Sequence, residues 1–384
     1  MPGFELIGKE EKEELDNIFK NGGVLFRHGF DNIRNNTYKV KSFEKDFAKK
    51  FNVKYALAVS SGTAALRVSL ATLNLSPNDE IITQSFTFVA TAEAIIESRA
   101  KPVICEINDT LNMDPDDLEK KINKNTKAVI VVHMLGTPCE MDKIKTICKK
   151  RKIKLIEDTA WGIGATINKK YLGTIGDIGT FSFDFAKTLT TGEGGMIVFK
   201  SKKDYDKAAA WHDHGHENNP KVPRWEDTRS SSGFNFRMSE LQAAVGLAQL
   251  KKLDYIIKSH RKNRDDILSV LKKFKKLTFR RIPKNSIDSA EALIFFTESK
   301  FQAIKIRKSL LDQNLSTKIL PEATTWHFAK SWTHMKELKL NKKSKKFLKI
   351  SEEILNKAVS IPITVKRDSK VTHKIYKALK KVYK

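Results

Sequence analysis

Lys154-Leu-Ile-Glu-Asp-Thr-Ala-Trp161, Gly176-Asp-Ile-Gly-Thr-Phe-Ser-Phe-Asp-Phe-Ala-Lys187 and Thr190-Thr-Gly-Glu-Gly-Gly-Met196 fall within one span of 46 residues, 154–199. Short β-branched and aromatic runs end there in acidic, hydroxyl or glycine-rich residues. This is how buried strands read when functional groups gather at their ends. Strands are expected at 154–157, 179–182 and 196–199. Upstream, similar runs at Tyr55–Val59, 80–83, 101–106 and 128–133 alternate with helix-like stretches, which predicts parallel strands joined by crossover helices. The fold class is therefore α/β, with a mostly parallel central sheet. The order of strands in that sheet does not follow from the sequence.

Downstream, Met238-Ser-Glu-Leu-Gln-Ala-Ala-Val-Gly-Leu-Ala-Gln-Leu250 carries apolar residues at three- and four-residue spacing and predicts a helix leading out of the large unit. The remainder mixes a strand near 292–297 with basic amphipathic helices and contains no internal repeat, so a second, smaller α/β domain is expected. The division is drawn as 1–252 and 253–384, in keeping with the tendency of single cores to stop growing near about 250–300 residues. Residues 212–236, rich in Gly, Pro, Ser, Asn and Trp, predict a long functional loop.

The chain has 71 Lys and Arg against 45 Asp and Glu, a formal charge of +26, which raises the possibility of a nucleic-acid partner. The lysines are spread through the sequence, as in 145–154 and 336–349, and no nucleic-acid motif accompanies them, so none is expected. No apolar run reaches the roughly 20 residues of a bilayer span. With no leader visible at the N-terminus, a soluble, cytoplasmic protein without a membrane partner is expected. Cys105, Cys139 and Cys148 are odd in number and lack metal-ligand spacing, so neither a disulfide framework nor a metal site is expected.

Amino transfer on a phosphorylated aldehyde cofactor requires three things: a lysine amine, a carboxylate for the pyridine nitrogen, and donors for the phosphate. Lys187 is the candidate amine, since only Asp184 is charged nearby and glycines follow. Asp158 is the candidate carboxylate, at the end of its strand. Ser60-Ser-Gly-Thr-Ala-Ala-Leu66 joins a strand to a helix, so Gly62 and Thr63 can offer amides and a hydroxyl to a phosphate at a helix N-terminus, with Ser182 adding a second hydroxyl. Phe88 can stack on an aromatic ring. Taken singly, each has an ordinary reading as surface lysine, loop aspartate, helix cap or core aromatic. Their joint occurrence outweighs those readings.

Together, Ser-Gly-Thr-Ala-Ala-Leu, Phe86-Thr-Phe-Val-Ala-Thr, Glu157-Asp158, the Ser182 to Lys187 spacing, Thr191-Gly-Glu-Gly-Gly and Gly233-Phe-Asn-Phe-Arg-Met-Ser-Glu-Leu resemble the DegT/DnrJ/EryC1/StrS family of sugar aminotransferases. The resemblance implies a fold type I enzyme with pyridoxal 5′-phosphate bonded to Lys187, Asp158 on the ring nitrogen, glutamate as amino donor and a sugar as acceptor. It also implies a homodimer with shared active sites, in which Asn235 reaches the phosphate held by a neighbouring subunit. The dehydratase branch of the family carries histidine where this chain has Lys187. Trp161 is a departure: many members have glutamine or histidine there, and an indole N–H donates but does not accept. Within the family, the opening Met1-Pro-Gly-Phe-Glu-Leu, the Phe26-Arg-His-Gly-Phe-Asp-Asn-Ile-Arg-Asn segment and His212-Asp-His-Gly-His are most similar to the 8-amino-3,8-dideoxy-octulosonate transaminases, which aminate a Kdo-derived sugar acid destined for lipopolysaccharide. A nucleotide-linked keto-sugar is the alternative acceptor. Arg27 and Arg237 are candidates for binding carboxylates, and His214 and His327 for meeting sugar hydroxyls.

Overall fold

The computed structural model describes residues 3–338 and 347–383. Met1 and Pro2 of the opening motif, and residues 339–346 of the lysine-rich 336–349 run, lie outside the described residues. The seven expected strands form one sheet in the spatial order Tyr55–Val59, Gly195–Phe199, Ile178–Ser182, Lys154–Asp158, Thr126–Val132, Glu80–Gln84, Lys101–Cys105. Every pairing from Ile178–Ser182 to Lys101–Cys105 is parallel, whereas Gly195–Phe199 runs antiparallel to both of its neighbours. The sheet is mostly parallel, as expected, and this one strand differs. The reason for the difference is local: residues 183–194 contain no crossover helix, and a chain that turns back without one pairs antiparallel. That return loop carries Lys187.

Helices cover the sheet, as a parallel sheet requires. Gly62–Ala71 packs on the side of Ile81, Ile130, Ile156 and Ile197, all fully buried. On the other side Lys39–Phe51 inserts Phe43, Phe47 and Phe51 against Phe181 and Phe183, with the Phe47 ring 5.0 Å from that of Phe181. The helix beginning at the Ser239 cap extends to Leu271, leading out of the large unit as expected. Its first half buries Leu247, Leu250 and Leu253 beside Phe43 and Phe47, and its last turns bury Ile267 and Leu271 beside Leu293 and Phe295 of the C-terminal unit. One rigid rod thus serves both cores. We propose that the division near 252 runs through this helix rather than through a linker. The C-terminal unit contains a three-stranded antiparallel sheet of Thr278–Phe279, Ala292–Phe296 and Ala358–Pro362, with Lys300–Leu311 and Val371–Val382 packed on it.

No helix among the described residues is long and apolar enough to cross a membrane. Cys105, Cys139 and Cys148 are buried and unpaired.

Candidate active site

Alternation along the Lys154–Asp158 strand sends its two carboxylates to opposite faces. Glu157 turns inward and accepts the amides of Gly173, Ile175 and Gly176 and a contact from His133 Nε2 at 2.9 Å, so it pins the 173–176 turn. Asp158 turns the other way. Its Oδ1 accepts the Ala160 amide at 3.1 Å and its Oδ2 accepts the Thr91 hydroxyl at 3.1 Å. Burial pushes the Asp158 carboxyl up from its ordinary value. A protonated ring nitrogen against it would reverse that direction, because an adjacent opposite charge favours the ionised carboxylate.

Lys187 is buried in the return loop, its amide bonded to Asp184 O at 3.0 Å and its carbonyl accepting the Gly3 amide at 3.0 Å. Its Nζ lies 3.3 Å from the centroid of the Trp161 indole. Burial pulls the amine down to about 8 from 10.5, with Glu291 opposing that shift and Lys318 reinforcing it. A lysine so placed is neutral, and therefore nucleophilic, for an appreciable fraction of the time near neutral pH. Trp161 meets the amine with its ring face, a contact the expected N–H donation did not anticipate.

The phosphate candidates form a single cradle. Ser61 caps the Gly62–Ala71 helix by accepting the Ala64 amide at 3.0 Å, which leaves the amides of Gly62 and Thr63 without a partner among the described residues. A Cβ on Gly62 would stand 2.6 Å from Ser182 Cβ and 2.9 Å from its Oγ, so glycine is what lets the turn approach that hydroxyl. A Cβ on Gly195 would stand 2.3 Å from Ser61 O, which accounts for the glycine-rich run after Lys187. Phe88 is half-buried, its ring 5.3 Å from that of His327. His327 is buried, its Nδ1 is 3.0 Å from Ala323 O, and burial lowers it to about 4, so it is neutral at physiological pH.

The remaining candidates lie in a different network. The guanidinium of Arg27 donates to Glu44 at 3.0 Å and to Ala58 O at 3.1 Å and contacts His212 at 3.1 Å. These partners fix its position in the wall of a cavity that His28 and Asp227 also line. Arg237 donates to Asp213 at 2.5 Å, as does Arg224, and His28 lies 3.2 Å from the same carboxylate. Burial alone would raise Asp213, but these cationic partners hold it far below its usual range. Asn235 is exposed beside this knot, its Oδ1 accepting the Arg237 amide at 3.3 Å, and His214 is exposed with positive φ. Two residues near Lys187 escaped the sequence reading, Glu291 and Lys318. Neither sits in a recognisable motif, and only the docking of the C-terminal unit brings them in.

Compared with known proteins, the chain matches the DegT/DnrJ/EryC1/StrS aminotransferase family over residues 16–380. The chain belongs to that family. It is 40% identical to a GDP-perosamine synthase of Vibrio cholerae over 65% of each protein, slightly less than two thirds of that relative's length. It is 30% identical to an uncharacterised protein of Methanocaldococcus jannaschii over 100% of this chain and 97% of the other. The structure superposes on Helicobacter pylori PseC, an aminotransferase involved in the biosynthesis of pseudoaminic acid, with a TM-score of 0.85 and 26% identity, covering 98% of this chain and 97% of that one. These likenesses bear out the fold type I architecture. Pyridoxal 5′-phosphate is the cofactor of the family. The residues present fit it: a hydroxyl- and amide-lined cradle, a buried carboxylate, and a buried amine of lowered pKa.

Proposed function

We propose that the protein transfers an amino group from glutamate to a carbonyl sugar, with Lys187 as the residue that holds the cofactor and moves the proton. The observation that carries this reading is the Lys187 amine, buried on Trp161 within the field of Asp158. When bound, the cofactor supplies an electron sink that lets a C–H bond beside an amine ionise. Gly62, Thr63 and Ser182 would hold its phosphate, joined by Asn235 of a neighbouring subunit. Asp158 would keep the ring nitrogen protonated, and Phe88 would cover the ring face. The free Lys187 amine would take the proton from the donor Cα and deliver it within that same half-reaction, and would run the transfer in reverse on the sugar, so ping-pong kinetics follow.

We further propose an octulosonate-type sugar acid as the acceptor. In support, the 26–35 and 212–216 segments that carry this resemblance meet in one wall, through Arg27 with His212 and His28 with Asp213. The nucleotide-linked keto-sugar is the second reading, favoured by the likeness to GDP-perosamine synthases, whose name denotes a nucleotide-linked product. Glutamate plus a panel of acceptors tests the choice. Turnover of 8-oxo-Kdo supports the first reading. Turnover of GDP- or dTDP-linked 4-keto-sugars without 8-oxo-Kdo replaces it with the second.

A further inference from the structure

Lys318 is fixed where the C-terminal unit meets the large one. Its amide donates to Ser360 O and its carbonyl accepts the Leu320 amide, both at 2.8 Å. Its side chain, 12% exposed, runs to the Trp161 indole, where Nζ stands 4.8 Å from the ring centroid. Lys187 Nζ stands 3.3 Å from that centroid. Two cationic amines therefore share one ring at the candidate reaction centre.

Like charges gathered at one ring repel each other unless something offsets them. Glu291, fully buried, lies 3.4 Å from Lys318 Nζ, and its other oxygen accepts the Thr188 hydroxyl at 3.3 Å. An ammonium group has three donors, and a single carboxylate contact leaves the others open. Lys318 Nζ has no further hydrogen-bond partner among the described residues. Arg27 is paired with Glu44, and Arg224 and Arg237 with Asp213, whereas Arg280 is tied through Nε and Nη2 to Thr110 O and Asn112, away from the Trp161 ring contacts. His327 is neutral. Lys318 is the cation whose charge bears on Lys187.

We propose that Lys318 is the anchor for the α-carboxylate of the amino-acid donor. The argument rests on the aminotransferase reading and turns on reach. In an α-amino acid the carboxylate sits on the carbon that carries the reacting amine, so it must lie next to the Lys187 amine that it displaces. In an octulosonate aminated at C8, the carboxylate is at the far end of the chain and cannot reach a cation beside Lys187. Glu291 keeps the Lys318 amine in place between donors, and the donor carboxylate completes its coordination.

The test uses cofactor-loaded protein and 2-methylglutamate, which lacks the Cα hydrogen and so binds without reacting; its dissociation constant is read from the change in visible absorbance. Lys318→Met is expected to raise that constant by about 10- to 100-fold, the loss of one charge-assisted contact, with Lys318→Arg recovering most of it. The weak binding of 4-aminobutyrate, which has no α-carboxylate, is expected to change by no more than about twofold. KM for the sugar acceptor stays unchanged. Lys318→Gln is the second variant, should Met misfold. Unaltered 2-methylglutamate affinity in folded variants, or a weakened acceptor with an intact donor, overturns the proposal alone. A wild-type protein that responds to no amino acid overturns the aminotransferase reading with it.

Discussion

At the scale of single residues, the lowered pKa of Lys187 makes a prediction that does not need substrate. In cofactor-free protein, the rate at which Lys187 is acylated is expected to rise with pH around a midpoint near 8, whereas a solvated lysine rises around 10.5. A midpoint near 10.5, measured by mass spectrometry of the Lys187 peptide, would show that the amine is not desolvated. The same shift acts on stability. Below about 8 folded and unfolded chains both carry the proton, and the burial penalty is present in full. Between about 8 and 10.5 the unfolded chain holds more protons, so this residue's penalty is relieved as pH rises. Lys187 and Asp158 were legible as candidates because Asp158 ends a strand and Lys187 follows one, both inside a dense motif. Lys318 and Glu291 were not, since the sequence separates them from Lys187 by more than a hundred residues and only tertiary docking joins them.

At the scale of elements, the cradle depends on how closely the Ser61–Thr63 turn approaches the strand ending in Ser182. Gly62→Ala would place a methyl 2.6 Å from Ser182 Cβ. Relieving that overlap costs about 1–3 kcal/mol and moves the helix N-terminus off the hydroxyl. The expected result is a fall in cofactor affinity, read by equilibrium dialysis, in a protein that still folds. Unchanged affinity would separate Gly62 from the phosphate site. Strand positions were readable because a buried parallel sheet writes itself as β-branched runs, and the bounds of each central strand lie within a few residues of the expectation. The antiparallel Gly195–Phe199 strand was not, because direction depends on the connection rather than on the strand's own residues. The 240–271 helix was legible at its start, and its far end follows from packing against both cores, since beyond Leu250 its pattern turns lysine-rich.

At the scale of the whole molecule, the proposed sharing of sites between subunits gives a complementation test. Asn235→Asp sets a carboxylate against the neighbour's phosphate site, and Lys187→Ala removes the amine, so each homodimer is expected to be nearly inactive. Refolded together, random pairing makes about half the dimers mixed, each with one site that has every native group, and activity returns to about a quarter of wild type. No recovery in confirmed mixed dimers, from an inactive Asn235→Asp parent, would mean that Asn235 serves its own subunit. The broad positive charge has no such focus. It is distributed over helix faces such as those of Lys39–Phe51 and Met141–Lys150, and the site itself balances Lys187 and Lys318 against Asp158 and Glu291. The central claim is that Lys187 holds the cofactor. The direct measurement is to incubate the protein with pyridoxal 5′-phosphate, fix the product with borohydride, and map the modified peptide by mass spectrometry. The account predicts a single stoichiometric phosphopyridoxyl group on Lys187, absent in Lys187→Ala. Modification spread over surface lysines, or persisting at full stoichiometry in Lys187→Ala, would contradict it.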